Sequence, residues 1–540
     1  MSATAAPGAR RPARGRRPGP LTGAGTLLRH ALRRDRIVLP VWVLVIAVMV
    51  VSGPGSLGAL YGTAAERASF AESVTANGSL RAMYGPAFGD SVGALTAMRL
   101  GVFAALFAGI MSLLLVVRHT RDEEESGRQE LVSALVVGRR APLTAALSTA
   151  AVANGALTLL VVAGLWGEGP AGALALGLAI GGSGMVFATV AAVAAQLTES
   201  GRLARGLAVG VLGGAFVLRA AGDAGTADGS SVLTWLSPLG WAENLRSFGG
   251  ERWWVLLLLL AAVLVQTGAA YALAERRDIG MSFLPGRPGP AAGRLGGAGA
   301  LAWRLQRGNL LGWGAGFLLS GVALGGVVSS ADDLVGTNER TRDLIERMGG
   351  TTAIGEAFLG TMAGLLGLIA GVYVAAAVLR LHGEEVSGRV EPLLAAPVGR
   401  VRWAAGHLAV AFGGGALLLL LGGLGLALGH GRDPGQALAA ALVQLPAVWV
   451  IGGLATLLTC ASPRLAVLSW AVAGGAVLLG WIGPALKVPR AVLNLSPYEH
   501  LAKLPGEELR WTPVLLLTLL ALALVAAGLT ALRRRDLVPS

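Results

Sequence analysis

The stretch Glu123-Glu124-Glu125-Ser126-Gly127-Arg128-Gln129-Glu130, closing at Gly138-Arg139, recurs as Glu384-Glu385-Val386-Ser387-Gly388-Arg389-Val390-Glu391, closing at Gly399-Arg400. The two copies align without a gap at an offset of 261 residues. Long apolar runs flank each copy. Burying so many charges in hydrocarbon would cost several kcal/mol apiece, so both cassettes must lie in water, as loops at a membrane face. A chain that presents the same polar handle twice is expected to dock two copies of something.

Working outward, composition gives the class. The chain is 54% hydrophobic and 14% charged, with a mean hydropathy of +0.65, far from soluble norms. Apolar runs of about 20 residues, enough to cross a bilayer core, recur throughout. They read as Ile37–Ser52, Ser91–Val117, Leu143–Leu165, Pro170–Leu197, Leu203–Ala221 and Trp253–Ala274 in the first half. In the second half they read as Asn309–Ser329, Glu356–Leu379, Ala404–His430, Gly435–Cys460, Leu465–Gly483 and Trp511–Leu532. The expectation is an all-α polytopic membrane protein of about twelve spans, six per half.

Four further motif pairs keep the same order as the cassettes. Arg33…Arg36…Trp42 returns as Arg304…Arg307…Trp313, and Ser200-Gly201-Arg202-Leu203-Ala204 as Ser462-Pro463-Arg464-Leu465-Ala466. Leu236-Ser237-Pro238 returns as Leu495-Ser496-Pro497, and Arg276-Arg277-Asp278 as Arg534-Arg535-Asp536. Ordered recurrence of this kind indicates duplication. An even number of spans per half gives the copies a parallel orientation, about an axis along the membrane normal. The expected domains are a disordered basic tail at 1–20, a first six-helix half at 21–274, a cytoplasmic linker at 275–303 and a second half at 304–540.

Arginine placement sets the orientation. The first 36 residues carry nine Arg and one Asp, and the linker and the tail Arg533-Arg534-Arg535 are also basic. By the excess of positive charge on cytoplasmic loops, both termini, the linker and both cassettes are cytoplasmic. This fits a multi-pass membrane protein, its first span uncleaved and both termini in the cytoplasm. Leu21–Arg36 is expected to form an amphipathic surface helix. On the outer face, Leu57, Leu60, Tyr61, Ala64, Ala68 and Ala71 share helical spacing and suggest one short interfacial helix. Pro238 and Pro497 turn the chain before re-entry, with Trp241, Trp253, Trp254 and Trp511 as interface anchors.

Chemistry-bearing patterns are sparse. Cys460 is the sole cysteine, and the six histidines show no metal-ligand spacing, so no metal site is expected. The only lysines, Lys487 and Lys503, precede Val488 and Leu504, so no phosphate-cradling loop exists and the chain is not itself an enzyme. The arginine tail lacks interleaved aromatics, which argues against nucleic acid as a partner. No carboxylate falls near a span centre, and Arg99 and Glu356 fall toward span ends, giving ion coupling little support.

The cassette Glu-Glu-x-Ser-Gly-Arg-x-Glu, followed by Gly-Arg after the second span, resembles the cytoplasmic coupling segment of type-2 ATP-binding-cassette exporter permeases. The duplicated form, with Leu-Ser-Pro before each sixth span, is similar to fused actinobacterial polyketide-antibiotic or tetronasin exporter permeases. The second half departs from the pattern, with Val386 where the first has Glu125. The resemblance implies a permease subunit that moves hydrophobic or amphipathic small molecules out of the cell. It implies two ATPase subunits, expected to be identical, that bring ATP and Mg while this chain carries no cofactor. Its coupling residues would be Glu123, Glu124, Gly127, Arg128, Glu130 and Arg139, with Glu384, Glu385, Gly388, Arg389, Glu391 and Arg400 as counterparts. Second and fifth spans would line a central cavity, with Phe103, Phe107 and Met111 as candidates. The acids would grip the ATPase, the glycines permit a bend, and the arginines pair with acids or lipid phosphates. Two other classes stay open: an ion-driven secondary efflux carrier, and a non-transporting membrane signalling or scaffold protein.

Overall fold

A computed structural model describes residues 19–134, 136–278, 280–283, 296–336, 351–482 and 489–536. The basic tail before residue 19, most of the linker, Lys487 and the greater part of the loop after Asp332 lie outside them. Among the described residues the fold is helical throughout, and eleven helices are long and apolar enough to cross a membrane. The chain is a multi-pass membrane protein. It divides into two compact units, residues 1–288 and 289–540.

Within the first unit, the amphipathic helix Ala24–Arg34 buries Ala31 and exposes Arg29 and His30. The chain behind the cassette is stitched to the turn that leads into this helix, Gly138 N donating to Thr22 O and Arg140 N to Pro20 O. The first span follows as Val38–Val51 and runs on through Gly53–Leu60, so it is longer than the expected Ile37–Ser52. Pro54 sits in the first turn of the continuing helix, where the missing amide would have no partner in any case. The expected single interfacial helix is two pieces. Tyr61 ends one, and Thr63 starts the next, Ala64–Ala76, with a reciprocal cap to Glu66. Tyr61 stacks on Phe70 with ring centroids 4.7 Å apart, closing the corner.

The remaining spans of this unit are Val92–Arg118, Ala141–Leu165, Pro170–Leu197, Gly201–Gly225 and Val255–Arg276. The second and fourth form its centre, with 61% and 72% of their apolar stretches buried against 17% for the sixth. The second unit repeats this order. Its second span, Gly355–Val386, and its fourth, Pro434–Ala461, are 61% and 67% buried, and its last, Trp511–Arg534, again 17%. Equivalent helices thus occupy equivalent places.

Two helices of the second unit, Ala298–Gly336 and Arg400–His430, cross backbone to backbone. A Cβ on Gly425 would come within 2.4 Å of Leu318 O, and one on Gly321 within 2.4 Å of Gly422 O. Small residues at a membrane helix crossing permit this approach and the dispersion it gains. The span expected at Leu465–Gly483 is shorter than its neighbours. Its α-helix starts only at Leu468, after a turn at Pro463, and loosens into a π-type coil over Leu478–Ile482.

Candidate functional site: the duplicated cassettes

Each second span delivers its cassette at one end of its unit. In the first, helix Arg121–Glu125 ends at Gly127, which has φ +73°; in the second, the helix through Val386 ends at Gly388, with φ +68°. The Gly127 amide donates to Glu124 O and the Gly388 amide to Glu385 O, both at 3.0 Å. Left-handed residues of this kind close a helix at low cost only when glycine supplies them. Both bends are therefore written into the repeated Ser-Gly-Arg.

The acids of the cassettes divide into two sets. Glu130 and Glu391 are exposed, as are Arg128 and Arg389. Glu124 and Glu385, expected in water, are instead drawn inward. Glu124 holds Arg277 through two charge-assisted bonds of 2.8 and 2.5 Å, and also contacts Arg121. Glu385 holds Arg535 through two bonds of 2.6 Å. The carboxylate side chains keep only 5% and 3% of their surface in contact with solvent. A fork-to-fork arginine–carboxylate pair is among the stronger and more directional polar contacts available.

The surroundings repeat as well. Arg139 donates to the carbonyl of Arg277 at 2.7 Å, and Arg400 to the carbonyl of Arg535 at 2.6 Å. Both were candidates for pairing with acids or lipid; both hold the backbone of the clamping arginine, and Arg400 also lies 3.9 Å from Asp536. Arg277 Nε donates to Gln196 Oε1 at the end of the fourth span, and Arg535 Nε to the carbonyl of Cys460 at the equivalent end.

Other contacts are peculiar to one unit. Glu123 pairs with Arg34 and Arg128, Asp122 with Arg205, and Glu125 accepts from the Gly201 amide that opens the fifth span. Val386, at the position of Glu125, is exposed and offers no such cap. Glu384 pairs with Arg380 at 3.4 Å. His119 lies 2.5 Å from Asp35, which Arg118 also contacts, so this histidine is an interfacial partner of a buried acid.

At the opposite end of the first unit lies a cluster that sequence reading missed. Arg219 and Asp223 are fully buried and 3.2 Å apart, and Glu243 lies 3.4 Å from the same guanidinium. Thr234 donates to Asp223, and Arg219 donates to the carbonyl of Ala82. The fifth helix extends to Gly225 rather than ending at Ala221, which brings Asp223 inside. Burial pushes the Glu243 carboxyl well above the usual carboxylate range; Arg219 opposes that shift and Asp223 adds to it. Glu243 borders a cavity of about 30 Å³ between the second and fourth spans, lined by Met98, Gly101 and Leu176.

The three cavity candidates do not share an open face. Met111 is buried among Val43, Ile46 and Leu157, Phe103 meets Tyr84 edge-on at 6.5 Å, and only Phe107 is exposed. The Leu-Ser-Pro motifs occupy matching places with different bonds. Ser237 caps the helix Pro238–Asn244 and donates to Ala215 O, while beyond Ser496 it is Tyr498 that donates to Gly367 O.

A multidrug efflux system permease protein, Rv1217c of Mycobacterium tuberculosis (strain ATCC 25618 / H37Rv), is 42% identical over 531 residues, with 95% of each chain covered. The chain belongs to this permease family. A family model described as the C-terminal domain of the multidrug efflux system permease Rv1217c also matches residues 295–533, nearly all of the second unit. The clamps, bends and cassettes above are thus features of an Rv1217c-type permease.

Proposed function

We propose that this chain is the membrane subunit of an ATP-driven drug exporter, moving hydrophobic or amphipathic small molecules out of the cell. Partner ATPase subunits, two in number, dock on the exposed faces of the cassettes from the cytoplasm. The observation that carries this reading is the duplicated cassette, held by the same bend and the same carboxylate–arginine pair in each unit. The relative named as a multidrug efflux system permease supports the direction and cargo class. ATP-driven closure of the ATPases pulls both cassettes and moves the spans behind them.

Purified alone, the chain should neither bind nor hydrolyse ATP, because it has no phosphate loop. In cells of its own host, dissipating the proton gradient with ATP maintained should leave efflux intact, whereas ATP depletion should abolish it. A second reading, ion-driven efflux, draws on the buried Asp223–Glu243 pair. Efflux that collapses with the gradient while ATP persists would select that reading.

A further inference from the structure

The carboxylate–arginine pairs join three elements at once, and they do so twice. In the first unit Arg277 stands just past the sixth span, Val255–Arg276, grips Glu124 of the cassette and reaches Gln196 near the end of the fourth span. In the second unit Arg535 stands just past the last span, Trp511–Arg534, grips Glu385 and reaches the Cys460 carbonyl at the end of Leu445–Ala461. Arg139 and Arg400, each from the chain just beyond its cassette, bind the carbonyl of the same arginine from the other side. The guanidiniums keep 8% and 14% exposure, so neither pair is a loose surface contact. Side chains differ where backbone can substitute, Gln196 against the Cys460 carbonyl, yet the tie survives.

We propose that Arg277 and Arg535 are positioning residues of the transport cycle, each locking its cassette to the ends of the fourth and sixth spans so that the three move as one body. The inference rests on the coupling role proposed above. A cassette that merely packed against its second span would transmit a pull to that span alone. With the clamp closed, the same pull also reaches the peripheral sixth span, which packs on the fourth, Gly453 against Leu524 and Gly528 against Thr456 in the second unit. Bidentate geometry suits the task because two parallel bonds resist rotation as well as separation. Lysine, a point charge, would keep the attraction and lose that resistance.

The test uses the second-unit pair, since Glu124 also contacts Arg121. Full-length Glu385→Arg, Arg535→Glu and the double exchange are expressed in the native host, with ethidium efflux as readout. Each single reversal should lower efflux at least tenfold, and the exchange should recover half or more of the wild-type rate. Arg535→Lys should accumulate normally and lower efflux about threefold, which keeps the idea testable if the reversals do not accumulate. A second readout needs neither partner nor cargo: cleavage after Arg389 by trypsin in detergent, followed by mass spectrometry. It should accelerate about tenfold in each reversal and return to the wild-type rate in the exchange. Should the exchange match the single reversals in both readouts, or Arg535→Lys behave as wild type, the clamp is overturned. Wild-type chain that exports no dye would instead count against the exporter reading, with the cleavage series still deciding the clamp.

Discussion

Replacing Arg219 with leucine is expected to strip the protein from the membrane fraction at neutral pH. The change removes the guanidinium that both Asp223 and Glu243 contact, and leaves the Ala82 carbonyl without its donor. Breaking a buried ion pair from one side costs about 3–5 kcal/mol, a large part of a total stability of roughly 5–15 kcal/mol. The companion Glu243→Gln change should do the opposite of harm. With its carboxyl pKa raised on folding, Glu243 contributes stability that is fully present below its unfolded value of about 4.5. That contribution is lost as pH rises through the folded value. Glutamine, neutral at every pH, removes the decline. Melting temperatures from pH 5 to pH 8 should therefore fall less steeply for Glu243→Gln than for wild type. Parallel slopes, or an Arg219→Leu chain with wild-type abundance and melting, would show that the cluster does not act as described.

The second large effect is expected at the exposed rim of the cassettes. Reversing Glu130 and Glu391 to Arg places like charges where an ATPase groove is proposed to sit. Such juxtaposition costs several kcal/mol, and even about 2 kcal/mol weakens association ~30-fold. Exposed substitutions usually shift folding by less than about 0.5 kcal/mol, so the permease itself should accumulate normally. ATPase yield in pull-downs and drug resistance should fall together. Unchanged yield and resistance would reduce these positions to solvated loop. Glu124 and Glu385 are unsuited to this test, because each is engaged with an arginine inside its own unit.

That contrast shows what was legible in the residues. The length of the apolar runs gave the spans, because a bilayer imposes that length on any helix that crosses it. Duplication was readable from ordered motif pairs, and the bends at Gly127 and Gly388 from the Ser-Gly-Arg that each cassette repeats. Side-chain partners across long separations were not. Arg277 lies 153 residues from Glu124, and Arg535 lies 150 from Glu385. No local pattern marks either arginine as a clamp, although both belong to the recurring Arg-Arg-Asp. Asp223 lies beyond the apolar run that ends at Ala221, and Glu243 sits on the separate short helix Pro238–Asn244. Such clusters are assembled by tertiary packing, so their charge balance becomes visible only once the helices are placed.

The most direct measurement of the central claim is photo-cross-linking from the cassettes in living cells. A photoreactive residue is placed at Leu131 and, separately, at Pro392, both exposed and at equivalent positions of the repeat. The predicted result is a cross-link from each position to an ATPase carrying a phosphate loop, lost when Glu130 or Glu391 of the same cassette is reversed. Cross-links from neither position to any ATPase, in cells where the permease still exports drug, would contradict ATP-driven coupling through these cassettes.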